Sequence, residues 1–144
     1  MARHKSSDIR NFALCGHAGS GKTMLGEAML FMTKAVNRLG TIADGSTVSD
    51  FEPEEHERQC SLSSAVLHCT YAGKGFHIID TPGGLDFIGG MVSGIAGADL
   101  CVICVNATKG VELNARKAWD YAGQLGLGRV IVVSRMDSDN VNYP

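Results

Sequence analysis

The segment GHAGSGKT, residues 16–23, constrains the fold of this chain more than any other stretch of its sequence. It lies between the apolar run NFALC and a run of helix-forming residues, so it predicts a strand, a tight glycine turn and a helix in succession. Its pattern is G-x-x-x-x-G-K-[ST], in which loop N–H groups and the helix N-terminus bind phosphate. We expect a strand over residues 9–15 and a helix from Lys22 to about Leu39, ending at Gly40.

The rest of the chain alternates short apolar runs with helical segments, which is typical of an α/β fold with a mostly parallel sheet. LSSAVLHCTY and GFHIID, joined by AGKG, predict an antiparallel hairpin, and LCVICVNA and RVIVVS predict two buried strands. DFIGGMVSGIAGAD is expected to form a loose helix, because each of its glycines costs about 1 kcal/mol relative to alanine. The helix after LCVICVNA is expected to present one apolar face, formed by Ala115, Ala118, Trp119, Ala122 and Leu125. Residues 41–61 are expected to form a long polar loop.

The composition excludes several classes of protein. A chain of 144 residues fits one domain, and a net charge of -2 gives no basic field for nucleic acid or an anionic membrane. No apolar run approaches the roughly 20 residues that span a bilayer. The polar start MARHKSSDIR differs from a signal peptide and leads directly into a strand, so a cytoplasmic protein is expected.

Five cysteines, an odd number, are expected to be reduced thiols. Cys15, Cys69, Cys101 and Cys104 all lie in apolar runs that predict strands. Cys101 and Cys104 form a CxxC pattern, but side chains alternate along a strand, so these two should point to opposite faces of the sheet. A shared metal ion or a disulfide is therefore not expected there.

The glycine loop is expected to bind the phosphates of a nucleotide through Gly16, His17, Ala18, Gly19, Ser20, Gly21, Lys22 and Thr23. Lys22 would supply a full positive charge to the outer phosphates, and the hydroxyl of Thr23 would bind Mg²⁺. His17 is expected to shape the loop rather than to act in catalysis. The alternative is a chance glycine-rich turn between a strand and a helix.

The sequence DTPG, residues 80–83, directly follows an apolar strand. Here the carboxylate of Asp80 is expected to hold Mg²⁺, usually through water, while the N–H of Gly83 is free to contact a γ-phosphate. Since this contact requires a triphosphate, it would sense the state of the nucleotide. Thr81, Pro82 and Gly84 complete this part of the predicted site. An ordinary turn also uses these residue types, so the prediction depends on the glycine loop that precedes it.

Two further segments are expected to complete the site. SRMD consists of Ser134, Arg135, Met136 and Asp137, and the carboxylate of Asp137 could accept from the ring N–H and exocyclic amine of guanine, which selects GTP over ATP. The alternative for Asp137 is a solvated loop aspartate. In EPEEHERQCSLSS, Ser61 is the candidate for a hydroxyl that reaches Mg²⁺ only when a γ-phosphate holds the segment in place. The acidic run itself is expected to be solvated surface.

Together these segments resemble the guanine-nucleotide domain of translation factors, specifically the bacterial elongation factor G-like proteins. The resemblance covers nearly the whole chain and rests on DIRNFALCGHAGSGKT, DGSTVSDFEPEEHERQCSLSSA, DTPGGLDF and SRMD with the preceding GVELNARKAWDYAGQLG. It implies a three-layer P-loop α/β fold with one antiparallel strand and without the last edge strand, binding GTP or GDP with Mg²⁺. It also implies that residues 1–144 are an N-terminal GTP-binding domain of a longer protein, whose other domains contact the ribosome.

Four positions depart from the pattern of this family. Gly84 stands where DTPGHVDF has a histidine that is taken to position the attacking water. Ser61 replaces the magnesium-binding threonine of RGITI, which is a conservative change. SRMD keeps the carboxylate of NKxD but lacks the asparagine that ties this loop to the phosphate loop. Gly19 stands where an aspartate is common, which would alter the binding of monovalent ions.

Three functions are consistent with these residues. The first is a GTP-binding switch that hydrolyses GTP slowly, because the missing side chain at Gly84 would account for a factor of about 10² to 10⁴. The second is a binding module that senses GTP against GDP without hydrolysis and acts by docking to a partner. The third is a P-loop ATPase or kinase, which Asp137 argues against.

Overall fold

The computed structural model describes residues 4–139 and 141. It contains the strands β1 (Ile9–Gly16), β2 (Ala65–Tyr71), β3 (Lys74–Asp80), β4 (Leu100–Asn106) and β5 (Gly128–Ser134). They form one sheet in the order β2-β3-β1-β4-β5. Strand β1 pairs in parallel with β3 and β4, β5 pairs in parallel with β4, and β2 is antiparallel to β3. The predicted mixed sheet, with its antiparallel hairpin, is confirmed.

Four α-helices connect these strands: α1 (Lys22–Met32), α2 (Pro53–Arg58), α3 (Ile88–Ala96) and α4 (Leu113–Gln124). Helix α1 packs on one face of the sheet, and α3 and α4 pack on the other, which gives the expected three layers. A short 3₁₀ turn, Leu85–Phe87, leads into α3. Among the described residues, no helix has both the length and the hydrophobicity that crossing a bilayer requires.

Alternating side chains of β1 and β4 fill both faces of the sheet. On the α3–α4 side lie Ala13, Cys15, Cys101 and Ile103, and on the α1 side lie Phe12, Leu14 and Val102. Strand alternation places Cys104 on the face opposite Cys101, as expected. The five cysteines are all free thiols.

Helix α1 is shorter than predicted. It ends at Met32 rather than at Leu39, because Lys34 adopts a left-handed conformation with φ 60°. The N–H groups of Lys34 and Ala35 then bond to the carbonyls of Phe31 and Leu30, a Schellman arrangement that closes the helix. The predicted stop at Gly40 was wrong, since lysine rarely takes this conformation and gives no stop signal in the sequence.

The predicted long loop over residues 41–61 contains helix α2, which sequence reasoning missed. Pro53 occupies its first turn, and the side chains of Glu52 and Glu55 form a capping box at its N-terminus. The prediction of a solvated acidic surface fails at Glu55, which is 1% exposed.

Two apolar segments are less buried than predicted. In β5, which lies at one edge of the sheet, Val130, Ile131 and Val133 are 44%, 54% and 39% exposed. In α4, the alanines of the predicted apolar face are buried, but Trp119 is 38% exposed and Leu125 lies beyond the helix end, 55% exposed. The guanidinium of Arg129 stacks on the ring of Trp119 at 4.2 Å, so this side chain is covered by a charge rather than by the core.

Two glycines let α3 approach the end of β3 closely. A Cβ at Gly94 would lie 2.5 Å from Cγ2 of Thr81, and a Cβ at Gly90 would lie 2.8 Å from Cγ of Pro82. At Gly89, by contrast, an added Cβ would meet no atom within 4 Å. The glycines at positions 90 and 94 therefore serve packing against residues 81 and 82, where a larger side chain does not fit.

The pair Gly94→Ala and Gly89→Ala tests this interpretation. We expect Gly94→Ala to lower the free energy of unfolding by about 1–3 kcal/mol, because its methyl group overlaps a buried threonine. Gly89→Ala should raise it by up to about 1 kcal/mol, because alanine favours the helix and the site is open. Urea unfolding of both variants measures the difference, and equal stability of the two would contradict the close-packing argument.

Candidate functional site

The loop between β1 and α1 is held open by glycine conformations and close contacts. Gly19 and Gly21 have φ of 76° and 86°, which favour glycine. A Cβ at Gly16 would lie 2.4 Å from the carbonyl oxygen of Cys104, so only glycine fits there. The loop ends in two buried polar side chains, Lys22 and Thr23, at the first turn of α1.

The three predicted metal-binding side chains come together at this end of the sheet. The hydroxyl of Thr23 donates to Oδ2 of Asp80 at 2.8 Å and lies 3.3 Å from the hydroxyl of Ser61. Asp80 is the last residue of β3, which lies next to β1, so its carboxylate faces the start of α1. These oxygens come from three separate segments and are of the kind that Mg²⁺ prefers.

Asp50 is a fourth oxygen ligand candidate, which sequence reasoning missed. Its Oδ1 accepts from the hydroxyl of Ser61 at 2.6 Å, and its Oδ2 accepts from the hydroxyl of Thr47 at 3.3 Å. Asp50 is only 3% exposed, although it lies in a polar segment. The fold places Asp50 in this cluster, and no local sequence pattern distinguishes it from the neighbouring acidic residues.

The electrostatics of this cluster fit a bound cation. Burial raises the pKa of Asp80 to about 6, while the hydrogen bond from Thr23 and the charge of Lys22 act in the opposite direction. Oδ1 of Asp80 is buried without a hydrogen-bond partner among the described residues. A buried carboxylate with one free oxygen gains most from a divalent cation or its water, so the residues present fit Mg²⁺.

Lys22 lies between the two motifs. Its ammonium donates to the carbonyl of His17 at 2.9 Å, and burial lowers its pKa against the attraction of Asp80. A Cβ at Gly83 would lie 2.5 Å from this ammonium and 2.7 Å from the backbone nitrogen of Ala18. DTPG is thus packed directly against the glycine loop, as the sensor prediction requires, and a side chain at Gly83 would fill the space between them.

Gly84 has an extended backbone, with φ −72° and ψ 146°, which any residue can adopt. A Cβ there would lie 3.1 Å from Cδ2 of Phe87, so the ring would have to move by a few tenths of an ångström to admit a side chain. The ring of Phe87 therefore occupies part of the space next to Gly84.

A cavity of about 120 Å³ separates the glycine loop from the segment that carries Ser61. Its lining includes Lys22, Thr23, Asp50, Gly83 and Gly84, together with Ile42 and Cys60. The glycine loop, the segment that carries Ser61 and the residues after Asp80 thus face one common space.

The predicted base-reading loop is tied to the glycine loop. The hydroxyl of Ser134, at the end of β5, donates to the carbonyl of Ser20 at 2.8 Å. Serine thus makes the link between the two loops that was expected to be lost with the asparagine of NKxD. Arg135 is left-handed, with φ 56°, and the side chains of Met136 and Asp137 are exposed to solvent.

Two buried carboxylates organise the segment that carries Asp50 and Ser61. Glu27 of α1 accepts from the backbone N–H groups of Gly40 and Val48. Glu55 of α2 accepts from four backbone N–H groups, those of Phe51, Glu52, Leu62 and Ser63. Burial opposes the charge of Glu55, but these four donors hold the pKa of its carboxyl below the ordinary value of 4.5. The segment is therefore held against α1 by carboxylates rather than by a regular sheet or long helix.

Glu55→Gln tests this arrangement. One of its two acceptor oxygens becomes an NH₂ group that faces backbone donors, so we expect the free energy of unfolding to fall by about 2 kcal/mol at pH 7. Glu57→Gln, in the same helix but exposed, is the matched control and should change it by less than about 0.5 kcal/mol. Urea unfolding measures both.

The stabilising effect of Glu55 should also depend on pH. The folded-state pKa of Glu55 lies below its ordinary value. Its contribution to the free energy of unfolding is therefore complete above about pH 4.5 and is lost as the pH falls through the folded-state pKa. The difference between the wild type and Glu55→Gln should therefore shrink below pH 4.5. A difference that stays constant down to acid unfolding would contradict the role of the charged carboxylate.

A larger groove of about 500 Å³ lies elsewhere, between α1 and the β2–β3 hairpin. It is lined mainly by apolar side chains, including Met29, Met32 and Phe76. None of the predicted site residues lines this groove.

A phosphate loop between β1 and α1, with the end of β3 packed against it in a three-layer fold, defines a P-loop nucleotide-binding domain. Residues 7–143 match the family model of the elongation factor Tu GTP binding domain. The chain belongs to this family of translation-factor GTP-binding domains.

Individual relatives agree with this assignment. The chain is 36% identical over 135 residues to an elongation factor G-like protein of Mycobacterium tuberculosis, covering 94% of the chain and 19% of the relative. It is 34% identical to the mitochondrial ribosome-releasing factor 2 of Debaryomyces hansenii, covering 93% of the chain and 16% of the relative. A crystal structure from Thermus thermophilus superimposes with a TM-score of 0.88 at 37% identity, covering 92% of this chain and 20% of that one. The chain spans about a fifth of the length of these proteins.

Proposed function

We propose that this domain is a GTP-dependent switch of the elongation factor G type, which binds Mg-GTP and Mg-GDP and hydrolyses GTP slowly. The observation that carries the proposal is the cluster of Thr23, Asp50, Ser61 and Asp80, whose oxygens converge beside Lys22. Ser61 and Asp50 belong to the segment between α1 and β2, whereas Thr23 lies in the first turn of α1 and Asp80 at the end of β3. A ligand that bridges both parts would therefore couple its own state to the position of that segment.

Each part of the site would have a distinct role in this proposal. The backbone of residues 16–21 and the ammonium of Lys22 would bind the phosphates, and the N–H of Gly83 would contact the third phosphate. Thr23, Ser61 and Asp80, together with Asp50, would hold Mg²⁺, which would neutralise the charge of the phosphates. Asp137, which is exposed beyond β5, would accept hydrogen bonds from guanine.

Equilibrium competition among GTP, GDP, ATP and XTP, with and without Mg²⁺, tests this proposal. We expect the chain to bind only guanine nucleotides, and Mg²⁺ to strengthen GTP binding. In Asp137→Asn, GTP should bind at least about tenfold more weakly and XTP more tightly, because an amide can donate to the xanthine oxygen. Asp139→Asn, two residues further along the chain and exposed, is the matched control and should leave this preference unchanged. Equal binding of ATP, or indifference to Asp137→Asn, would favour an ATPase or kinase instead.

Slow hydrolysis is proposed because Gly84 has no side chain with which to position water. The extended backbone at Gly84 would accept a histidine if the ring of Phe87 moved slightly. The phosphate loop and the proposed Mg²⁺ ligands could support hydrolysis without such a side chain, since they act by positioning and charge.

Gly84→His should therefore raise the single-turnover rate of GTP hydrolysis by about 10²-fold or more. Gly84→Ala, which adds the Cβ without the imidazole, controls for displacement of Phe87 and should leave the rate within about twofold. The measurement is single-turnover hydrolysis, repeated with ribosomes present. A wild-type rate equal to that of an ordinary elongation factor G would contradict the proposed slow hydrolysis.

The second candidate function is a non-hydrolysing module that docks to a partner according to the bound nucleotide. It is favoured by the ring of Phe87, which occupies space beside Gly84 where a catalytic side chain would lie. No rate increase in Gly84→His, together with retained discrimination between GTP and GDP, would support this function over the GTPase.

We also propose that residues 1–144 act as the N-terminal nucleotide domain of a larger factor that reaches the ribosome through other domains. This proposal is supported by the share of the relatives that the chain spans and by the name of the Debaryomyces hansenii relative. The net charge of -2 supports the view that this domain does not itself bind nucleic acid through a general basic field.

A further inference from the structure

The first turn of α4 contacts both phosphate-binding motifs of the proposed site. Asn114, which is fully buried, donates from Nδ2 to the carbonyl oxygen of Gly83 at 2.9 Å. Two residues earlier, Oε1 of Glu112 lies 3.5 Å from Nε2 of His17 in the phosphate loop. Neither Glu112 nor Asn114 was predicted as a site residue, because both lie at the start of an ordinary helix and match no phosphate-binding motif.

Asn114 restrains the peptide unit between Gly83 and Gly84, two residues that have no side chains to hold it in place. The carbonyl of Gly83 belongs to the peptide unit that joins two glycines, Gly83 and Gly84. In a planar trans peptide, the direction of this carbonyl also fixes the direction of the N–H of Gly84 on the opposite side. The following carbonyl, of Gly84, accepts from the N–H of Phe87 at 3.2 Å. Asn114 and Phe87 thus fix two successive peptide units.

Packing does not explain why this position is an asparagine. Oδ1 of Asn114 is buried without a hydrogen-bond partner among the described residues, which is unfavourable. A leucine, whose side chain has the same branching and the same number of heavy atoms, would occupy this position without an unpaired oxygen. The side chain is therefore explained by the bond that its Nδ2 makes to Gly83.

We propose that Asn114 is a positioning residue, which holds the carbonyl of Gly83 and so restrains this residue, whose N–H is the proposed contact of the γ-phosphate of GTP. This inference rests on the proposed function, because it assigns a role within the same site. Without the bond, GTP binding would have to order the two successive glycines, Gly83 and Gly84, whereas GDP has no γ-phosphate to contact the N–H of Gly83. The loss of affinity should therefore fall on GTP rather than on GDP.

The test measures equilibrium affinities of the full chain for GTP and GDP in the presence of Mg²⁺. We expect Asn114→Leu to weaken GTP binding about tenfold and GDP binding less than about twofold. Asn114→Gln retains the amide donor and should recover most of the preference for GTP. Asn114→Asp keeps the size but loses the donor, so it should show the same selective loss, and it provides the result if the leucine variant does not fold.

Ala118→Gly is the matched control for a general weakening of α4. Ala118 is fully buried in the same helix as part of the apolar core, so this change should lower the midpoint of thermal unfolding and leave the ratio of GTP to GDP affinity unchanged. Equal weakening of both nucleotides in the Asn114 variants, or an unchanged ratio, would overturn the inference and leave the proposed function intact. Absence of guanine-nucleotide binding in the unchanged chain would overturn both.

Discussion

The pairing of β1 with β3 places Thr23 and Asp80 side by side, and the hydrogen bond between them joins the start of α1 to the end of β3. In this register, Leu14 lies beside Asp80, and the hydroxyl of Thr81 donates to the carbonyl of Leu14 at 2.7 Å. The two strands therefore end together, and the loops that follow them meet. Any change that separates these strand ends would separate the proposed phosphate loop from the proposed sensor of the third phosphate.

The segment that completes the proposed metal site is held by a different kind of interaction. Glu27 and Glu55 are each about 1% exposed, and both carboxylates accept from backbone N–H groups of this segment. Such bonds satisfy backbone donors that would otherwise be buried without partners in a stretch with little regular secondary structure. Because these bonds rather than apolar contacts hold it, the segment can cover the proposed phosphate loop and still consist mainly of polar residues.

The sequence predicted the parts of the structure that depend on local order along the chain. The phosphate loop, the strand that ends at Asp80 and the antiparallel hairpin all follow from short patterns whose geometry is nearly independent of context. Asp50, Glu55 and Asn114 were missed because their roles come from contacts between distant segments. The exposure of β5 was missed for a similar reason, since RVIVVS indicates a strand but not whether other elements cover its faces.

The positions that depart from the family pattern differ in whether the new residue replaces the contact of the usual one. Ser134 replaces an asparagine, yet its hydroxyl reaches the carbonyl of Ser20 and keeps the two loops linked. Ser61 replaces a threonine, yet its hydroxyl lies 3.3 Å from that of Thr23. Gly84 has no atom that could take the place of the imidazole, and the nearest side chain to it, that of Phe87, is apolar. The groups proposed to bind and sense a nucleotide are therefore retained or replaced, whereas the group that would position water is absent, which is why we propose that binding and hydrolysis are separable in this domain.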